Sequence, residues 1–196
     1  PDDPQNPVGD PGQKGEESVT GSVDIGTKPV VNQVLEDVKV EIAENVFPED
    51  TKLVVEKIVA GERYEAVQKV FEKTFEKAPE KISKFVPYDI SAIKNNVKVQ
   101  PNGEVTVTFD IPENFDPART AVYYISDDGK VEKIASTVDA ASRKITATLT
   151  HFSTYVVAET ETEKKEVPDT SSADGLAFAG LLSVLAAAAV VMKKKF

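Results

Sequence analysis

Apolar and polar positions alternate repeatedly through the middle of this chain. Val38-Lys39-Val40-Glu41-Ile42 turns one side to a core and the other to water, the period-two pattern of a half-buried strand. Leu53 to Ile58, Tyr88 to Ile93, Val97 to Val99 and Val105 to Phe109 follow with β-branched and aromatic residues. Ala121 to Ile125, Val131 to Ile134, Lys144 to Leu149 and Phe152 to Val157 complete the series. Turn residues separate them at Phe47-Pro48-Glu49-Asp50, Pro101-Asn102-Gly103 and Asp127-Asp128-Gly129. Asn102-Gly103 accepts positive φ and predicts a hairpin joining 97–99 to 105–109. The segments 144–149 and 152–157 read as the last pair.

One stretch has a different period. Tyr64, Val67, Val70, Phe71, Phe75 and Ala78 fall on one side of a helix, with Glu62, Glu65, Lys69, Glu72, Lys73 and Glu76 on the other. This predicts a helix over about 62–78, laid across a sheet opening or edge. The fold expected is mainly β: an antiparallel, immunoglobulin-like β-sandwich over 28–158 with one amphipathic helical insertion.

Both flanks read differently. Residues 1–27 are rich in Pro, Gly, Asp, Glu and Ser and predict a disordered acidic linker. Residues 159–174 predict a polar stalk. An uncharged apolar run follows from Leu176 to Met192, rising about 26 Å as a helix, at the short end of a bilayer's hydrocarbon core. It predicts a transmembrane helix over 175–192 that contacts the lipid bilayer. Lys193, Lys194 and Lys195 then stop the span and mark 193–196 as a cytoplasmic basic tail.

The formal net charge of −10 opposes binding to phosphate backbones, so no nucleic acid is expected as a partner. With no cysteine, disulfides and thiol nucleophiles are excluded. A chain that starts at Pro1 without a signal peptide reads as part of a longer precursor.

Val167-Pro168-Asp169-Thr170-Ser171, the apolar run and the lysines stand in an order that resembles the cell-wall sorting signal of Gram-positive surface proteins. That signal is Leu-Pro-x-Thr-Gly, a hydrophobic span and a basic tail. The resemblance implies sortase and peptidoglycan as partners, and location on the extracellular face of the envelope, held by wall or membrane. Ser171 occupies the glycine position, a departure that bears on cleavage after Thr170. The segments Val99 to Val107, Phe115-Asp116-Pro117, Val122-Tyr123-Tyr124 and Thr150 to Tyr155 also resemble β-rich modules that precede the anchor in Firmicutes surface proteins.

Three chemistries compete with a purely structural reading. His151-Phe152-Ser153 matches the tripeptide of autoproteolytic β-domains, which implies Ser153 Oγ attacking the Phe152 carbonyl with His151 as base. The plainer account is a strand start with His151 at the turn. Lys39, Lys98 and Lys144 with Asn95, Asn96 and Asn114 hold the groups of an intramolecular isopeptide bond, yet each also suits a solvent-facing position. Asp127-Asp128-Gly129 and Asp110, Glu113, Asn114 and Asp116 offer oxygens to Ca²⁺, or ordinary turn chemistry. No cofactor and no enzymatic activity are expected. The function expected is a surface-anchored spacer or adhesion module of a larger protein. The rivals are a self-cleaving domain and a non-catalytic anchor module of an enzyme encoded upstream.

Overall fold

The computed structural model describes residues 18–162. The sorting-like residues Val167 to Ser171, the apolar span 175–192 and the lysines Lys193 to Lys195 lie outside the described residues.

Twelve strands and one α-helix make up the described part. In chain order these are β1 (Ser18–Ile25), β2 (Val30–Leu35), β3 (Val38–Ile42), β4 (Thr51–Ile58), α1 (Glu62–Thr74) and β5 (Glu80–Lys94). There follow β6 (Val97–Val99), β7 (Val105–Asp110), β8 (Thr120–Ile125), β9 (Val131–Ile134), β10 (Ser136–Asp139), β11 (Lys144–Leu149) and β12 (Thr154–Thr162). They form two antiparallel sheets. One has the order β1-β4-β5-β12-β8-β9, with β6 also on β5; the other runs β10-β11-β7-β3-β2. This is a β-sandwich with one helix, larger than the seven or nine strands of the immunoglobulin arrangement.

Alternation decides which side chains meet between the sheets. Leu53, Val55, Tyr88, Ile90, Val122, Tyr155 and Val157 face Val38, Val40, Val105, Val107, Phe109, Ile145 and Leu149 in one core. The odd-numbered residues of β12 enter that core. Its even-numbered Val156 and Ala158 lie in a second core with Ala121, Tyr123 and Ile125, closed by Val67 and Phe71 of α1. The continuous run Tyr155-Val156-Val157-Ala158 is therefore apolar because both faces of β12 are covered. The helix lies across the outer face of the larger sheet, and its Phe71 meets Phe75, Phe85 and Tyr123 edge-on. It ends at Thr74, earlier than the side-chain pattern suggests. Lys81 Nζ donates to the Phe75 and Glu76 carbonyls there, and Pro79 disfavours helical backbone at Ala78.

The folded part reaches beyond 28–158 at both ends. β1 occupies Ser18–Ile25 inside the expected linker, and β12 carries Glu159 to Thr162 out of the expected stalk. Eight residues of β1 pair with β4, a partner that no local composition reveals. The expected hairpin at Asn102-Gly103 also gives way. β6 pairs with β5 and β7 with β3 and β11, so the segment crosses between sheets. The true hairpin turn is Asn95-Asn96, both at positive φ (49° and 63°), flanked by the pair Lys94 and Val97. Likewise β11 and β12 belong to different sheets. By contrast, β8 and β9 pair across the expected Asp127-Asp128-Gly129 turn.

Register fixes where the chain meets the fold. Ser18 lies opposite Ile58, the last residue of β4, and Thr162 lies opposite Glu80, the first residue of β5. Since β4 and β5 are antiparallel, both ends of the described chain point toward the same end of the larger sheet. Lys57 pairs with Tyr88, so Ser18 is level with about Pro87 and Thr162 reaches about seven residues further, roughly 23 Å along the strands. The loops 26–29, 43–50, 100–104 and 150–153 gather at the other pole. There Asn45 N–H donates to the Thr27 carbonyl and Asn102 N–H to the Val46 carbonyl.

Candidate functional site

His151, Phe152 and Ser153 lie in the loop pole, just before β12. Phe152 is buried and stacks on Phe47, with ring centroids 5.5 Å apart. Gln100 grips its backbone on both sides: Nε2 donates to the Phe152 carbonyl at 3.1 Å, and Oε1 accepts from the Phe152 N–H at 2.6 Å. The Ser153 carbonyl accepts from the Ile90 N–H. Tyr155 Oη donates to the His151 carbonyl four residues upstream, a corner that fixes the entry into β12. Burial and the Tyr124 and Glu132 charges push its phenol up from its ordinary value.

The ring of His151 packs edge-on against Tyr124, with centroids 4.4 Å apart, and at a tilt against Tyr155. Its Nε2 is buried and has no hydrogen-bond partner among the described residues. That nitrogen is therefore not poised on Ser153 Oγ. The arrangement places a donor, Gln100 Nε2, on the carbonyl that self-cleavage would attack, but holds the imidazole among aromatic rings. Geometry alone leaves this a packed strand entry.

The other candidates disperse. Lys39 pairs with Glu41 and Lys144 with Asp110. Asn95 and Asn96 form the β5–β6 turn. Asp128 accepts from Lys130 and Ser126, which hold its carboxyl down to about 2. Asp116 accepts from the Ala118 N–H and pairs with Arg119, which likewise lower it. Among the described residues no group of three or more metal-ligating side chains converges. No described helix is long and apolar enough to cross a membrane.

Two arrangements were not expected from the sequence. The Gln100 grip joins residues from distant loops, so nothing local announces it. The other is Glu159, whose side chain is only 4% exposed. Its carboxylate takes Lys84 Nζ at 2.9 Å, Arg119 at 3.0 Å and the Asp116 N–H at 3.0 Å. Burial pushes this carboxyl up, but the Lys84 and Asp116 hydrogen bonds and the two cations outweigh it and hold the group below its ordinary value. Lys84 also donates to the Asn114 carbonyl and lies over the Phe115 ring. Parity was the available signal: Glu159 continues the inward series Tyr155, Val157. On the outer face, α1 and the start of β5 leave a groove of about 330 Å³ between Phe71, Phe75, Ile82 and Phe85, rimmed by Gln68, Glu72 and Glu76.

No protein-family profile matches the chain. Over 94 residues it is 34% identical to an amylopullulanase of Thermoanaerobacterium thermosulfurigenes. The match covers 47% of this chain and 5% of that enzyme, so the similarity is to a small part of a much longer protein.

Proposed function

We propose that this chain is a non-catalytic display module of a larger extracellular protein, held at the cell surface through its C-terminal segment. The observation that carries the reading is the similarity to a small part of an amylopullulanase, a polypeptide many times longer than the matched stretch. In this reading the module acts by position and surface, and any chemistry resides elsewhere in the longer protein. The fold supports this: both ends of the described chain point toward one end of the larger sheet, which leaves the loops 26–29, 43–50, 100–104 and 150–153 at the other end clear of them. Contact with a partner, including adhesion, belongs to that loop pole.

Anchoring rests on the C-terminal residues. Val167 to Ser171, the apolar run and Lys193 to Lys195 supply the motif, span and stop of a sorting signal, with sortase and peptidoglycan as the partners. The test is to digest the wall of the source organism with a muramidase and find the C-terminal peptide by mass spectrometry. A peptide ending at Thr170 and bearing wall cross-bridge residues is the expected result. Recovery of an intact Lys193-Lys194-Lys195-Phe196 end from membranes would replace sorting with a single-span anchor. Recovery of that same end from the culture medium would overturn anchoring altogether.

A further inference from the structure

We propose that β1 is a mechanical release strand: tension along the chain strips it from β4 while the rest of the sandwich stays folded. The inference needs only the register of the described strands, and it stands whether or not the C-terminal segment is anchored.

Tension enters the fold at Ser18 and leaves at Thr162, and the two strands that take the load differ in every relevant respect. β1 is an edge strand, paired on one side only, through eight residue pairs from Ser18–Ile58 to Ile25–Thr51. Its first residues hold little: Ser18, Val19 and Thr20 are exposed, Val19 at 55%, and only Ile25 at the far end is buried. β12 is an interior strand, paired to β5 and β8, and Tyr155 to Glu159 are all buried.

Direction of pull widens the difference. Thr162 lies about seven residues beyond Ser18 along the strands and three strands to the side, so it is drawn outward mainly along the axis of β12, and its ladder with β5 is loaded in shear with many pairs sharing the force. The opposite pull on Ser18 draws it back over β1 toward the loops and off the edge of the sheet. Its pairs are then loaded one at a time, beginning at the exposed end. A ladder loaded serially yields at lower force than one loaded together, because each step breaks only one pair.

Peeling also has a natural stop. After Ile25 the chain passes through Gly26 to Pro29 into β2, which belongs to the other sheet and pairs with β3. The release is therefore a discrete step of at most about 30 Å of chain, against roughly 500 Å for unfolding residues 18–162. It bares the edge of β4, whose Val54 and Val55 are β-branched and strand-competent.

The experiment holds the full chain by peptide tags at its two ends and ramps the force between them. The chain contains no cysteine, so Ser22→Cys with Val54→Cys, which are cross-strand partners, introduces the only thiols. Asp24→Cys with Lys52→Cys is the second pair should the first not fold. The expected record shows a short early step before the main unfolding event under reducing conditions, and loss of that step when the disulfide closes. Unfolding in a single event under reducing conditions overturns the proposal. So does an early step that persists unchanged with the disulfide closed, since it then arises elsewhere in the chain.

Discussion

Glu159 joins three separate parts of the chain through one carboxylate. Lys84 comes from β5, Arg119 from the turn before β8 and the Asp116 N–H from the loop before it. Replacing it with Ala leaves those donors facing a buried gap, and because both cations are half-exposed the loss is held to roughly 2 kcal/mol in denaturant unfolding. The pH dependence has a definite sign. The folded-state pKa of Glu159 lies below its ordinary value of 4.5, so the stability it adds is complete above that value and is lost as pH falls through the folded pKa. The gap in stability between wild type and Glu159→Gln is therefore expected to be widest near neutrality and to narrow steadily below about pH 4.5 in parallel melts. Gly21 is constrained in another way. A Cβ there would lie 1.9 Å from the Val34 carbonyl oxygen, so β1 and β2 approach too closely for any side chain. Gly21→Ala is expected to cost about 2 kcal/mol. The cheapest escape is to release β1, so hydrogen exchange should show protection lost over Ser18–Ile25 before anywhere else.

The nine strands expected from alternation and β-branching all form. In β3, β7 and β11 periodicity reports burial on one face, whereas β8 and β12, covered on both faces, show as apolar runs of β-branched and aromatic residues. β2 and β10 lie at the edges of the smaller sheet, and their mixed exposure blurs the pattern. β1 hides in a stretch whose composition reads as linker, since what orders it is the register of β4. Turn chemistry misled for a physical reason. Asn102-Gly103 permits a tight turn, but which strands meet is settled by long-range pairing, and the two-residue hairpin went to Asn95-Asn96. Asn96→Gly keeps the required positive φ and is expected to be neutral or slightly stabilising. Asn96→Val puts a β-branched residue at φ 63° and is expected to cost about 1–2 kcal/mol by thermal unfolding. The helix was foreseen with its buried stripe, but its place on the outer face of a sheet was not. Phe71→Ala removes the ring between Phe75, Phe85 and Tyr123 and is expected to cost about 3–4 kcal/mol in urea unfolding.

At the scale of the whole molecule, the candidate chemistry was legible as residues but not as geometry. His151 and Ser153 are two positions apart in sequence, yet the imidazole packs among Tyr124 and Tyr155 and Gln100 clasps the intervening peptide. Only the fold could supply those neighbours. Intact mass of the purified chain is expected to show one species, with no fragments from a break between Phe152 and Ser153. Two fragments that vanish in Ser153→Ala would instead establish self-cleavage.

The polarity of the two chain ends also governs reach. A domain threaded from pole to pole lengthens a surface protein by its own height. Here the described chain enters and leaves toward the same end of the larger sheet, its two ends separated by the three strand spacings from β1 to β12, on the order of 15 Å, and by roughly 23 Å along the strands. In a protein that carries this fold between two other segments, end-to-end reach is then set mainly by those segments, and the folded part contributes bulk and an end that bears its loops.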